Sequence, residues 1–388
     1  MHSRHNRFIR APAHSTLFAG VGCAAIALFL SSCSADLSVQ RETQQAEGFE
    51  HTAPYSIVCV IHGDGEYLYH DTSGIEYRAD EQAVRAAQRV AQQNPDAEVF
   101  IFHQRPRRHF LFFFPLRDGE FYYYRNGRLI AHELYWRNQE EATFDGEVEL
   151  HRRFHADDRR DQVSLFLYCG HAIPEFGGAG YDASYPDRAF TVRDLAGGLK
   201  ELTRDSTKFD LMILSTCFGG TPYTIGSLGS FARTIIASPE NLHLSYFDLQ
   251  PLERLDLGMR NSTVPDFARR FARHAFDRLT KDVQTAVSVT VYDVDRVRGF
   301  LRSVQSVYDH TLTTLQGRSK ASLAAIDRCD CAEVPAFALP AIAEGVEVFY
   351  RPARFGRSKL KQSHSGWECW NDRAQQAAEP RVHDSELK

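Results

Sequence analysis

Residues 209–220 read FDLMILSTCFGG. The run Leu211-Met212-Ile213-Leu214 is apolar without alternation, the pattern of a strand covered on both faces, as in a parallel sheet. It stops at Ser215-Thr216, and Cys217 and Gly219-Gly220 follow. A similar run lies upstream, VSLFLYC over 163–169, ending in Gly170-His171. Between the two, Thr191 is placed to cap a helix. Its stripe is Val192, Leu195, Ala196, Leu199 and Leu202, with Asp194 in the first turn. Strand–helix–strand is the connection that adjacent parallel strands require. His171 and Cys217 are therefore expected at the same sheet edge, on strands about 4.8 Å apart. In open parallel sheets that edge is where ligands bind.

The pattern extends in both directions. Tyr55–His62 (YSIVCVIH) reads as a first buried strand, with Gly63-Asp64-Gly65 after it. Asp80 is predicted to cap a helix carrying Ala83, Val84, Ala87, Val90 and Ala91, which Asn94-Pro95 ends. Glu98–His103 is the second strand. Residues 110–136 differ: FLFFFPL, Asp118-Gly119, EFYYY, Asn126-Gly127, RLIAHELYW. Asp-Gly and Asn-Gly between β-rich runs signal hairpins, so a three-stranded antiparallel meander is predicted as an insertion. Its aromatics read as core or partner surface, since no basic groove accompanies them. A fifth strand (Arg233-TIIAS), helices near 264–280 and 293–316, and a strand at Val287–Tyr292 complete an α/β chain: a mostly parallel sheet flanked by helices.

The chain has 388 residues, 43% of them hydrophobic and 24% charged, which allows a large core. A net charge of −5 argues against nucleic acid as the main partner. Arg4, Arg7 and Arg10 precede an apolar stretch over 15–30 that is too short for a comfortable membrane span. It ends Leu30-Ser31-Ser32-Cys33, which resembles a bacterial lipobox, whose cysteine is lipidated and becomes the mature first residue. An ordinary signal peptide or a short anchor is the alternative. Ser34 is not Asp, so the inner-membrane retention signal is missing. The expected localisation is the bacterial cell envelope, at the outer membrane in a Gram-negative cell. The expected organisation is a leader at 1–33, a flexible tether at 34–53 and an α/β domain at 54–316. An extension over 317–388 packs on that domain, its tail partly disordered.

Eight cysteines are present. With Cys23 in the leader and Cys33 as anchor, six remain. Three of these, Cys59, Cys169 and Cys217, lie in or beside apolar strands, so this is no disulfide scaffold. Cys329 or Cys331 could bridge to Cys369 in an exported protein, or these could hold zinc with His364. A cysteine at a strand end is by default a small buried hydrophobe, and Cys169 is read that way. Cys217 differs because an imidazole is expected beside it, to act as base or as an ion-pair partner that lowers the thiol pKa. The glycines beyond it allow a sharp turn whose amides could hold an oxyanion.

Two other readings compete. His62-Gly63-Asp64-Gly65 resembles the oxyanion loop of α/β-hydrolase esterases. That fold needs G-x-S-x-G, and Ile225-Gly226-Ser227-Leu228-Gly229 lacks the first glycine. His62 is instead expected at the pocket rim, as a substrate contact. His62, Asp64 and His70 as metal ligands fit no known spacing.

An apolar strand ending in His, followed by one ending in small residue–Cys, resembles the clan CD cysteine peptidases (caspases, legumains, gingipains, clostripain). Thr216-Cys217-Phe218-Gly219-Gly220, Ile235–Glu240 (IIASPE) and Tyr246-Phe247 are most similar to the clostripain family, over about 55–310. The resemblance implies a caspase-like fold, His171 as general base and Cys217 as nucleophile. It also implies a thioester acyl-enzyme and peptide or protein substrates. An oxyanion would be held by backbone around Gly170, Ala172, Phe218 and Gly219. Calcium serves some relatives, but no ligand cluster supports it here. There are two departures. Ala172 stands where the family has Gly, and Ser215 where it has the Asp that selects basic P1 residues. Arg/Lys specificity therefore does not carry over. Ser215 itself, Asp248 or Asp210 could line the pocket instead. Arg188 and Arg193 lie where an activating cut could fall. A lipid-anchored, catalytically inactive binding module of the same fold is the other class of reading. Oligomeric state is not legible.

Overall fold

The computed structural model describes residues 53–63, 68–70, 76–110, 114–138, 140–155, 162–175, 177–178, 180–203, 208–242, 246–259, 262–299, 301–302 and 345–355. Cys33, the leader and tether, Asp64 and the cysteines at 329, 331 and 369 lie outside them.

Among the described residues a nine-stranded sheet forms the centre, in the order β13-β12-β11-β10-β9-β1-β4-β7-β8, while β2 (Leu68–His70) and β3 (Glu76–Arg78) pair separately. Its middle is parallel: β11 (Ala232–Ala237), β10 (Phe209–Ser215), β9 (Val163–Cys169), β1 (Tyr55–His62) and β4 (Ala97–Gln104). Antiparallel pairs flank it. β7 (Gly119–Arg125) and β8 (Arg128–Tyr135) stand on one side, β12 (Val287–Asp293) and β13 (Val346–Arg351) on the other. All eight residues of β1 and of β4 are buried, as continuous apolar runs require when helices cover both faces.

Alternate side chains feed two cores. Val58, Phe100, Phe166, Met212 and Ile235 pack against α2 (Asp145–Phe154), α3 (Val192–Thr203) and α4 (Pro222–Leu228). Ile57, Val99, Leu165, Leu211 and Ile236 pack against α1 (Ala79–Gln93) and α6 (Val264–Asp282), which follows the short α5 (Leu255–Met259). Each fully buried aliphatic contributes about 1.5–3 kcal/mol. Thr263 and Asp266 form a capping box at the start of α6, with a proline in its first turn. Ahead of α3, the Asp194 carboxylate accepts from both the amide and the hydroxyl of Thr191.

Two expectations change. Asp80 does not cap α1; Arg78 holds that position. Asp80 is buried, 2.8 Å from His103 Nε2 on β4, because Gly63 leaves room where a Cβ would strike its carboxylate. Nor do residues 110–136 form a three-stranded meander. β7 and β8, joined by Asn126 and Gly127 at positive φ, extend the main sheet directly from β4. Instead β5 (Arg108–Phe110) and β6 (Phe114–Leu116) pair with each other, a ribbon that pairs with no other strand among the described residues. β13 comes from the segment after residue 316 and is an integral edge of the sheet. Beyond β12, residues 294–299 and 301–302 are helical.

Candidate active site

β9 and β10 pair in parallel, with Ser215 opposite Cys169. Each chain then runs on by two residues, so Cys217 and His171 leave the sheet at the same level on neighbouring strands. Thr216 is buried between them, and its hydroxyl donates to the carbonyl of His171, tying the two strand ends together. Cys217 is half-exposed, unlike the other cysteines in the described strands. Phe218 then takes a positive φ of 53°, a left-handed conformation that is uncommon for a bulky residue. That turn, followed by Gly219-Gly220, ends the strand sharply. A Cβ on Gly220 would meet the Tyr292 hydroxyl at 2.6 Å, so the glycine is required there.

The thiol is held from the next strand. Beyond β11, residues 238–242 cross over it: Asn241 Oδ1 accepts from Cys217 Sγ at 3.2 Å, and the Leu242 amide donates to the sulfur at 3.3 Å. Together the two contacts fix the position of the sulfur. The sequence reading missed Asn241. Its signal was position alone, four residues past the end of a parallel strand and hence at the ligand-binding edge.

His171 has aromatic company on its other side. Its ring lies 6.4 Å from His62 and 6.5 Å from Tyr181, edge-on to both. His62 is not at a rim. It is 1% exposed, stacked on Tyr181 at 4.5 Å, with Nδ1 3.1 Å from Gln104 Oε1. Gln104 donates to Glu147, which also accepts from Tyr135. Burial, and next the Arg137 charge, push the His62 pKa down to about 4; Asp182 pulls the other way and loses. The Asp182 carboxylate itself is fully buried, and Arg137 and Arg188 donate to it at 3.1 and 3.0 Å. Arg188 is thus locked inside and offers no cleavage site, whereas Arg193 is exposed in the first turn of α3.

Other expected site residues fall elsewhere. Ser215 is 1% exposed, and its hydroxyl accepts from the Phe247 amide at 2.7 Å; it supports the floor of the site and lines no pocket. Asp248 is committed to His274 at 3.1 Å and to the Gln250 amide at 3.0 Å. Asp210 sits at the opposite sheet edge, accepting from Ser164. The Phe218 amide, expected as an oxyanion donor, donates to Glu240 O at 3.2 Å, and that of Gly220 to Ser238 O at 3.1 Å. Gly170 is wedged: a Cβ there would lie 2.7 Å from the Tyr168 hydroxyl and 2.9 Å from His62. Ala172 is half-buried and Gly219 is buried. Cys169 is core, its thiol pushed up to about 12 by burial. Ser227 lies inside α4, not on a strand-to-helix elbow, which removes the esterase reading. Among the described residues, no group of three or more His, Cys, Asp or Glu could hold a metal.

No family model and no curated protein matches the chain. Among solved structures, it is similar to a secreted C11 cysteine protease from Bacteroides thetaiotaomicron in complex with an irreversible peptide inhibitor. The identity is 12% and the TM-score 0.45, over 65% of this chain and 69% of that one. It is also similar to an inactive zymogen C11 protease from Parabacteroides distasonis, at 13% identity and a TM-score of 0.46, over 71% and 70%. A second B. thetaiotaomicron C11 structure matches at 11% and 0.46, over 67% and 72%. These structural neighbours are clostripain-like cysteine proteases of clan CD. At such identities no residue-by-residue correspondence follows.

Proposed function

We propose that this chain is a cysteine endopeptidase that cleaves peptide bonds with a Cys217–His171 dyad. The observation that carries this reading is the shared level of the two residues at the carboxyl edge of neighbouring parallel strands, joined through Thr216. In the reaction, the Cys217 sulfur attacks the scissile carbonyl carbon after passing its proton to His171. The tetrahedral intermediate collapses as His171 gives that proton to the departing amine, leaving a thioester. Water, deprotonated by His171, then attacks the thioester. The acid leaves and the thiol is restored. With the Phe218 amide already engaged, the turn Gly170–Ala172 is the remaining source of backbone donors for the oxyanion, together with Gly219. Asn241 positions the sulfur.

Substrates are peptides or proteins. Export through the leader at 1–33, anchorage by a lipid on Cys33 and a tether over 34–53 belong to the same reading, supported by the sequence of that segment. No helix among the described residues is long and apolar enough to cross a membrane. A second reading, a non-catalytic binding module, is favoured by one observation: the amide after Cys217 donates within the protein and is not open to an oxyanion.

Labelling with a thiol-directed peptidyl electrophile separates the two. The wild-type protein should label, and both Cys217→Ala and His171→Ala should not. Equal labelling of Cys217→Ala and wild type, or a wild type inert to every electrophile, would sink the peptidase reading.

A further inference from the structure

The segment RPRRHFLFFFPLR, residues 105–117, contains four arginines, one histidine and no acid. It leaves the sheet at the carboxyl end of β4, the edge that carries His171 and Cys217, and folds as the ribbon β5–β6. Every residue of both strands is exposed. Phe110 faces Phe114 across the ribbon, and they are 58% and 63% exposed, with Leu116 at 43%. Large apolar side chains this bare, adjacent on a projecting ribbon, mark a binding surface.

The root of the ribbon is fixed and cationic. The Arg107 amide donates to Ser184 Oγ at 3.0 Å, and its guanidinium lies 5.7 Å above the Tyr185 ring. Arg117 donates to the Leu134 carbonyl at 2.8 Å. Beside the root opens a cleft of about 240 Å³ lined by Arg78, Arg85, Arg105, Arg108, Glu81 and Glu120, among others. Arg105 pairs with Glu120, while Arg78 and Arg85 share Glu81. Arg108 has no ion pair among the described residues and is the surplus cation of the cleft.

We infer that the β5–β6 ribbon is an interfacial anchor that docks the protein on an anionic lipid bilayer. Phe110, Phe114 and Leu116 enter the headgroup–acyl boundary. Arg107, Arg108 and Arg117 stay at the level of the lipid phosphates, with the cleft receiving a headgroup. Bare aromatic and aliphatic side chains flanked by arginines match an occupant that is apolar beneath a negatively charged surface, which an anionic bilayer supplies. The absence of acids along the whole segment matches a negative partner. The docking is independent of any lipid on Cys33 and of the chemistry at Cys217.

The test is vesicle co-sedimentation of the full chain carrying Cys33→Ser, with phosphatidylcholine vesicles made with and without phosphatidylglycerol. The triple change Phe110→Ser, Phe114→Ser, Leu116→Ser should lower partitioning by about tenfold or more. Arg107→Gln with Arg108→Gln should remove the preference for anionic vesicles while leaving weak binding. A Phe114→Trp chain reports insertion directly, through quenching by brominated lipid. Partitioning that does not change in the triple variant, or no quenching at position 114, overturns the proposal. So does a triple variant that binds vesicles normally yet fails to cleave folded proteins, which would make the ribbon a protein contact.

Discussion

Consider His62. Gln104 donates its amide to Glu147, so its oxygen faces His62 and the proton must sit on Nδ1. Nε2 then points a lone pair towards Asp182 Oδ2, 3.9 Å away, with no hydrogen-bond partner among the described residues. Burial keeps this ring neutral, with a pKa down to about 4 against an ordinary value near 6.5. The sign is that of a depressed histidine. Above pH 6.5 the ring is neutral folded and unfolded, and contributes nothing. As pH falls from 6.5 to 4 only the unfolded chain takes up the proton, and folding loses roughly 3 kcal/mol. His62→Gln should therefore flatten the decline of stability across that window in urea titrations. An unchanged slope would mean that the ring is protonated in place. His62 and Cys217 show what residue-level reading can reach. The cysteine's place at a strand end was legible, and so was the histidine at the end of the neighbouring strand. The buried state of His62 was not, because the ring that covers it, Tyr181, belongs to a loop more than a hundred residues away.

At the scale of elements, the connection between β9 and α3 is a folded structure held from inside. Asp182 accepts from Arg137, Arg188 and the Ser184 amide, while Tyr185 donates to Asp118 at 2.6 Å. Asp118 in turn accepts from the Arg137 amide at 3.0 Å. The carboxylates hold the loop that walls His171 against the end of β8. Removing one partner leaves buried guanidinium charge uncompensated, so Asp182→Asn should cost about 3–5 kcal/mol in chemical denaturation. It should also slow labelling of Cys217 more than the stability loss alone explains. A variant as stable as wild type would show that the cluster is solvated. The strand–helix–strand frame around this loop was readable, since hydrophobic period and helix caps are local. The fate of residues 110–116 was not. Two three-residue strands closing on each other satisfy their backbone locally and cheaply, and only the docking of β7 on β4 shows that the place beside β4 is already taken.

Across the whole molecule, the sheet is finished by a strand from far along the chain. β13 pairs with β12 from Val346 to Arg351, and Arg351 donates to the carbonyls of Val283 and Thr285. Phe349 is buried, 6.2 Å from Phe276, with the Arg273 guanidinium 4.2 Å above its ring. Phe349→Ala should lower global stability by about 3 kcal/mol, near the lower end for such truncations because the strand is an edge. Thermal unfolding is expected to stay a single transition. A separate early transition would instead mark β13 as an independent appendage.

The α/β class, the parallel middle of the sheet and the edge at which Cys217 and His171 emerge are determined by sequence alone. Buried parallel strands are uninterrupted apolar runs, their crossovers are amphipathic helices, and both patterns are local. Tertiary structure decided that Asn241 meets the sulfur, that Ser215 lies beneath the site and that Arg188 is sealed against Asp182. It also decided that a strand beyond residue 344 closes the sheet. These contacts join residues with no shared period, and they exist only because separate loops converge on one edge of a folded sheet.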